Sequence, residues 1–177
     1  MTKIVTENAD VLREIAKEVQ DAEIKTKNVQ NVVKNMKEAL AGEKHGVAIA
    51  APQIGESLRI FVVAGKVFNI QEDADTEKED SGEDQIFINP KITKQSKKII
   101  KGDEGCLSVP GKYSWHVDRP EKITLEYLDE NGDKQTRGAS GFLARIFAHE
   151  VDHLNGVLYT DKAKEIHDVD EDFNKVD

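Results

Sequence analysis

The run His149-Glu150-Val151-Asp152-His153 sets two imidazoles four positions apart, with a carboxylate directly after the first. On an α-helix, residues four apart lie one above the other, so both imidazoles reach a single ion while Glu150 projects beside it. That arrangement suits metal-assisted activation of water. Catalytic metal sites of this kind use three protein ligands and keep a fourth position for water, so one ligand is still to be found. Downstream, Glu165 and Glu171 offer carboxylates in a polar, acidic stretch. The extended protease pattern H-E-x-x-H-x-x-G-x-x-H matches through Gly156 but meets Tyr159 where its last histidine belongs. Upstream stands the only cysteine, Cys106, within Glu104-Gly105-Cys106-Leu107-Ser108. Its thiolate completes a Cys-His-His set; otherwise a lone cysteine is a small buried hydrophobe.

The elements that carry these residues can be read from the pattern around them. Phe142, Leu143, Ile146, Phe147, Val151 and Leu154 place apolar side chains on more than one face of the histidine segment, which predicts a buried helix. Its start is expected after a Gly138-Ala139-Ser140-Gly141 turn, with Ser140 as N-cap, and its end at Asn155-Gly156. Polar groups buried there need partners, since each unsatisfied one costs roughly 1–3 kcal/mol. A metal answers for the histidines. For Asp152 the partner is Arg119, unless the carboxylate faces solvent. Val29, Val32, Val33, Met36 and Leu40 recur at helical spacing and predict an amphipathic helix over residues 27–41. Residues 58–64, 86–92 and 123–127 read as strands, the last entering a turn at Asp129-Glu130-Asn131-Gly132. The class is α+β, with short, mostly antiparallel strands packed around a buried metal-binding helix. His45, His116 and His167 lack ligand spacing and read as ordinary polar residues.

A third segment, Gly46-Val47-Ala48-Ile49-Ala50-Ala51-Pro52-Gln53, joins the two around Cys106 and His149. In order and spacing the three resemble the signature motifs of peptide deformylase, over about residues 46–160. The resemblance implies a metal-dependent hydrolase that removes the formyl group from the N-formylmethionine of nascent polypeptides. It implies that Cys106, His149 and His153 hold one divalent ion, iron(II) in the cell, with zinc accepted by the same ligands. Glu150 is then the general acid/base, and Gln53 with the Leu107 N–H forms the oxyanion site. A strand over Gly46-Val47-Ala48 is expected to pair with the peptide, while Val47, Phe142 and Ile146 receive the methionine side chain. Ala48 departs from the family, which usually has glycine there, and Ala148 replaces a common glutamine. Transient ribosome contact is a further implication, though the acidic end differs from the basic terminal helix of some members. The rival readings are a zinc endopeptidase with a downstream ligand, and a non-catalytic metal- or peptide-binding module.

At 177 residues with a formal charge of −9, the chain has the size of one catalytic domain. The acidic excess gathers in a loop near residues 71–85 and in a short terminal tail. Direct nucleic-acid binding is not expected, because it depends on Lys and Arg neutralising phosphates. The opening residues lack the apolar stretch of a signal peptide, and no run approaches a membrane span, so a cytoplasmic location is expected. One cysteine forms no intramolecular disulfide, in keeping with a reducing compartment.

Overall fold

The computed structural model describes residues 2–69 and 82–176, so most of the expected acidic loop lies outside the described residues. Its elements are α1 (Lys27–Ala41), β1 (Ala48–Ala50), β2 (Ile60–Val63), α2 (Lys66–Asn69), β3 (Gln85–Gln95), β4 (Ile99–Gly105), β5 (Lys112–Pro120), β6 (Lys122–Leu128), β7 (Lys134–Ser140), α3 (Gly141–Leu154) and β8 (His167–Asp168). Every strand pairing within the two sheets is antiparallel. One sheet runs β1-β2-β3-β6-β7 and the other β4-β5-β8. The α+β expectation therefore holds.

Strand β2 explains how one sheet serves two helices. Successive strand side chains point to opposite faces, and here both faces are covered. Ile60 and Val62 join α1 residues Val29, Val33 and Met36 in one apolar cluster, while Phe61 and Val63 join α3 residues Leu143, Phe147 and Val151 in another. A continuous Ile-Phe-Val-Val run is the signature of a strand buried on both sides. Phe61 stacks on Phe87 at 4.6 Å between centroids, and both rings meet Phe147 of α3. The aromatic triad fixes α3 against the sheet. Thr26 caps α1 by accepting from the Val29 N–H, and the helix ends at Gly42. These bounds are those the periodicity predicts.

Elsewhere the expected bounds shift. Residues 58–64 narrow to Ile60–Val63, and residues 86–92 lengthen to Gln85–Gln95 because β3 pairs with β2 at one end and β6 at the other. The predicted Gly138–Gly141 turn is instead the end of β7, held in register by pairs such as Ile123↔Ala139 and Lys122↔Ser140. Ser140 sits at the N-cap of α3 without a side-chain cap bond. Gly141, at φ 57°, makes the sharp change from strand to helix. Strands β4 and β5 were not foreseen, being rich in charge and poor in alternation. Residues 167–176, expected as a tail, are anchored: β8 pairs with β5 and Val169 bridges Lys175. Among the described residues no helix is long and apolar enough to cross a membrane.

The end of α3 is set as predicted. Gly156 adopts φ +73°, and a Cβ built on it would lie 2.5 Å from the Arg13 carbonyl oxygen. Gly156→Ala is therefore expected to destabilise the fold by about 1–3 kcal/mol or more, from left-handed backbone strain plus the clash. Urea unfolding measures it, and an unchanged midpoint would show that the chain relaxes freely at this corner.

Candidate metal centre

Helix α3 delivers its chemistry along one face. Arg145, His149 and His153 are spaced four apart, so they stack along the helix and point towards β4 and β5. Cys106 follows directly after β4, and its Sγ lies 3.2 Å from His153 Nε2. Ligand atoms of Cys106, His149 and His153 all fall within 4.8 Å of one another. The downstream alternatives do not enter this group: among the described residues Glu165 and Glu171 are absent from it. Tyr159 instead stacks on the His149 ring, 6.2 Å between centroids.

Glu104, quoted in its motif but given no role from sequence, organises the histidine. It is 5% exposed and accepts from Arg119 Nε (2.8 Å), Arg119 Nη2 (2.9 Å) and Arg145 Nη1 (2.9 Å). His149 Nδ1 lies 2.9 Å from its Oε2. Burial alone would raise the Glu104 pKa, yet hydrogen bonds and charge from Arg119 and His149 hold it well below the usual carboxylate range. An ionised carboxylate only accepts, so His149 Nδ1 carries a proton and Nε2 is the nitrogen that would give up its own proton to meet a metal. Burial opposes charge on His149, but its bonds to Cys106 and Glu104 outweigh that. For His153, burial and then the positive neighbours His149 and Arg119 push the pKa well down, favouring the neutral imidazole that ligates metals. Arg119 also reaches Asp152, which Lys162 pairs from the other side, so the predicted Arg119–Asp152 pair is present.

Arg145 escaped the sequence reading, although the argument made for Asp152 applies to it: a charge in an apolar helix needs a partner. Besides Glu104 it donates to the carbonyls of Val117 (2.9 Å) and Ile100 (3.1 Å). Its guanidinium lies over Gly102, where a Cβ would approach Nη2 to 2.4 Å. Glycine at 102 leaves the slot that the guanidinium fills.

Glu150 lies on the same helix, 4% exposed, with Oε2 free of any hydrogen bond among the described residues. Burial pushes its pKa up to about 7, with opposing pulls from the charges of His149 and Arg119. Gln53 is 2% exposed. Its Oε1 accepts from the Ala50 N–H, which turns Nε2 towards Ser108 Oγ (3.3 Å) and Cys106 Sγ (3.5 Å). Glu150, Gln53 and Cys106 line one cavity of about 550 Å³. Its walls include Gly46, Val47 and Ala48 ahead of and along β1, Leu107 after the cysteine, and Phe142 and Ile146 on α3. Phe142 is 51% exposed, so it forms the rim and not the buried face expected of it. His45 also lines the cavity, outside the donor group.

One soft thiolate, two imidazoles and an unpartnered buried carboxylate in a cleft form the kind of centre found in metal-dependent hydrolases. The polypeptide deformylase family pattern matches residues 1–169. A peptide deformylase of Symbiobacterium thermophilum is 40% identical over 170 residues, covering 96% of this chain and 70% of its own length. Among solved structures, a Met-Ala-Ser-bound class I type b peptide deformylase of Acinetobacter baumannii is similar with a TM-score of 0.77 and 32% identity, over 92% of this chain and 99% of that one. A Plasmodium falciparum peptide deformylase in complex with an inhibitor gives 0.75 and 36%, over 92% and 90%. The chain belongs to the peptide deformylase family. It is an enzyme that removes the formyl group from N-formylmethionine on nascent polypeptides, and the family implies a divalent metal ion. The endopeptidase and non-catalytic readings give way to this one.

Glu104→Gln is expected to destabilise the enzyme by about 3–5 kcal/mol near neutral pH, because buried Arg145 loses its carboxylate partner and buried Arg119 one of its two. The folded-state pKa of Glu104 is depressed, so its contribution is present above about pH 4.3 and is lost as pH falls below that. The gap between wild type and Glu104→Gln in urea unfolding should therefore narrow from pH 7 to pH 3.5. An equal gap at both pH values would mean that shape alone, and not charge, holds this corner.

Proposed function

We propose that Cys106, His149 and His153 hold the ion and that Glu150 is the acid/base of deformylation. The observation carrying this reading is the unpartnered Glu150 oxygen, buried beside three donors that lie within 4.8 Å of one another. Bound there, the ion supplies the Lewis acidity that activates water near neutral pH. Glu150, with its pKa raised to about 7, takes the proton from the attacking water and returns it to the amine as the C–N bond breaks, releasing formate. Gln53 and Leu107 line the same cavity, and Gln53 Nε2 with the Leu107 N–H would donate to the oxygen that gains charge during attack. The Leu107 N–H makes no hydrogen bond to the described residues, which leaves it available for that role.

The substrate is an N-formylmethionyl nascent peptide lying along Gly46, Val47 and Ala48, with its methionine between Val47, Phe142 and Ile146. Among the described residues strand β1 is at the end of its sheet and pairs only with β2, which supports peptide addition at its other edge. Ala48 is 6% exposed and packed in the same apolar cluster as Phe61, which supports accommodation of its methyl by the core. The Met-Ala-Ser ligand of the Acinetobacter relative supports a peptide in the corresponding cleft. The residues form a single catalytic domain that works in the cytoplasm on chains leaving the ribosome, through transient contact. Its ion is iron(II) in the cell, with zinc as the alternative; anaerobic purification, elemental analysis and activity with each metal decide between them.

Cys106→Ala and His153→Ala are each expected to lose stoichiometric metal together with nearly all deformylation, because two ligands do not hold an open tetrahedral site. Full occupancy in either variant would remove that residue from the ligand set. Glu150→Gln should bind metal and fold normally but turn over formyl-Met-Ala about 10²- to 10⁴-fold more slowly. Near-normal turnover would assign the proton transfer to another group.

A further inference from the structure

The two donors assigned to the oxyanion stand on separate loops: Gln53 in the turn Ala51–Ile54 that follows β1, and Leu107 after β4. Among the described residues no backbone hydrogen bond joins one loop to the other. Residues 4–7 reach both. The Val5 N–H donates to the Gln53 carbonyl (2.8 Å), and the Glu7 N–H donates to the carbonyl of Ser108, next to Leu107 (2.8 Å). Ile4 and Leu107 pack against one apolar cluster, Val5 and Cys106 against another, so the segment is seated by packing as well as by hydrogen bonds. The Glu7 carboxylate also lies 3.6 Å from Lys112 Nζ, at the start of β5. The loops touch directly through Gln53 Nε2, 3.3 Å from Ser108 Oγ and 3.5 Å from Cys106 Sγ. An Nε2 proton given to the oxyanion is no longer given to one of them, so during attack the spacing has to be kept by something else.

We propose that residues 4–7 act as a positioning strap, in which the Val5 and Glu7 N–H groups hold the two loops at the spacing that lets Gln53 Nε2 and the Leu107 N–H reach one oxygen. Such donors work only when both lie at hydrogen-bonding distance from the place where charge develops. A misplacement of about 1 Å costs on the order of 10²-fold in rate. None of residues 4–7 lines the cavity. The strap therefore supplies no proton and grips no peptide; it acts through Gln53 and Leu107, on the transition state more than on the bound substrate.

The inference rests on the oxyanion assignment of Gln53 and Leu107, and a double-mutant cycle in metal-loaded enzyme on formyl-Met-Ala tests the two separately. Val5→Pro removes the N–H and is expected to lower kcat per bound metal by about 10- to 10²-fold, with KM within about threefold. Val5→Ala keeps the N–H, and its loss should be at least about fivefold smaller than that of Val5→Pro. In a Gln53→Ala background the same Val5→Pro should cost less than about threefold, since the donor it positions is gone. Equal losses in the two backgrounds, or full kcat in Val5→Pro, overturn the strap. Gln53→Ala alone at wild-type kcat overturns the oxyanion assignment beneath it, because removal of a working donor costs about 10²- to 10³-fold. If Val5→Pro does not fold, Ile4→Ala, which unseats the same segment, enters the cycle and is judged by the same non-additivity.

Discussion

A single buried carboxylate ties the two sheets' worth of structure to the chemistry. Glu104 faces Arg119 from the neighbouring strand, Arg145 from the helix and the ring of His149, each within 2.9 Å. Removing a carboxylate from water is expensive unless it is paired and its lone pairs are filled. Here the partners that fill them come from β5 and α3, so satisfying Glu104 fixes the spacing between the cysteine's strand and the histidines' helix. The Cys106–His153 approach of 3.2 Å follows from that spacing. The same contact selects the His149 tautomer, which makes one interaction responsible for both position and ligand chemistry.

The sheet enforces the complementary constraint. With α1 on one face and α3 on the other, β2 has no solvent side, and a one-residue slip would exchange the two apolar sets. Edge strand β1 inherits that fixed register, which puts Gln53 at the end of the turn that follows it. The Ala50 N–H then holds one end of the Gln53 amide, so the other end has little freedom. Regular elements therefore place Glu104, Gln53, His149, Glu150 and His153, and the loop directly after β4 contributes Cys106 and Leu107.

The parts of this structure legible in the sequence are those governed by local rules. Helical spacing of apolar residues marked α1 to the residue, and His149 and His153 announced a shared donor group because four-residue spacing is itself geometry. The Arg119–Asp152 pair followed from the cost of burying a charge. By contrast, β4 and β5 are stabilised by pairing between segments that mix charged, polar and apolar residues, and that pairing leaves little periodic trace. The β7 end looked like a turn because Gly138 and Gly141 bracket it; the ladder to β6 overrode that local signal. Arg145 and Glu104 are meaningful only as a pair far apart in the chain, and neither position announces the other. The hairpin beyond Val169 was hidden by its acidity, since its anchoring depends on Phe173 finding Tyr113 and His45 in space.

The glycine slot beneath Arg145 couples two positions separated by more than forty residues. Any side chain at 102 displaces the guanidinium, and loss of the guanidinium leaves an empty slot against Glu104. Substitutions at 102 and 145 are thus non-additive, with the double change less harmful than the sum of the single ones. Across a lineage, such a pair should change hands together or not at all. A relative with a bulkier residue at the position of Gly102 is then expected to carry an uncharged one at the position of Arg145, so the two columns of an alignment would report this contact without any structure.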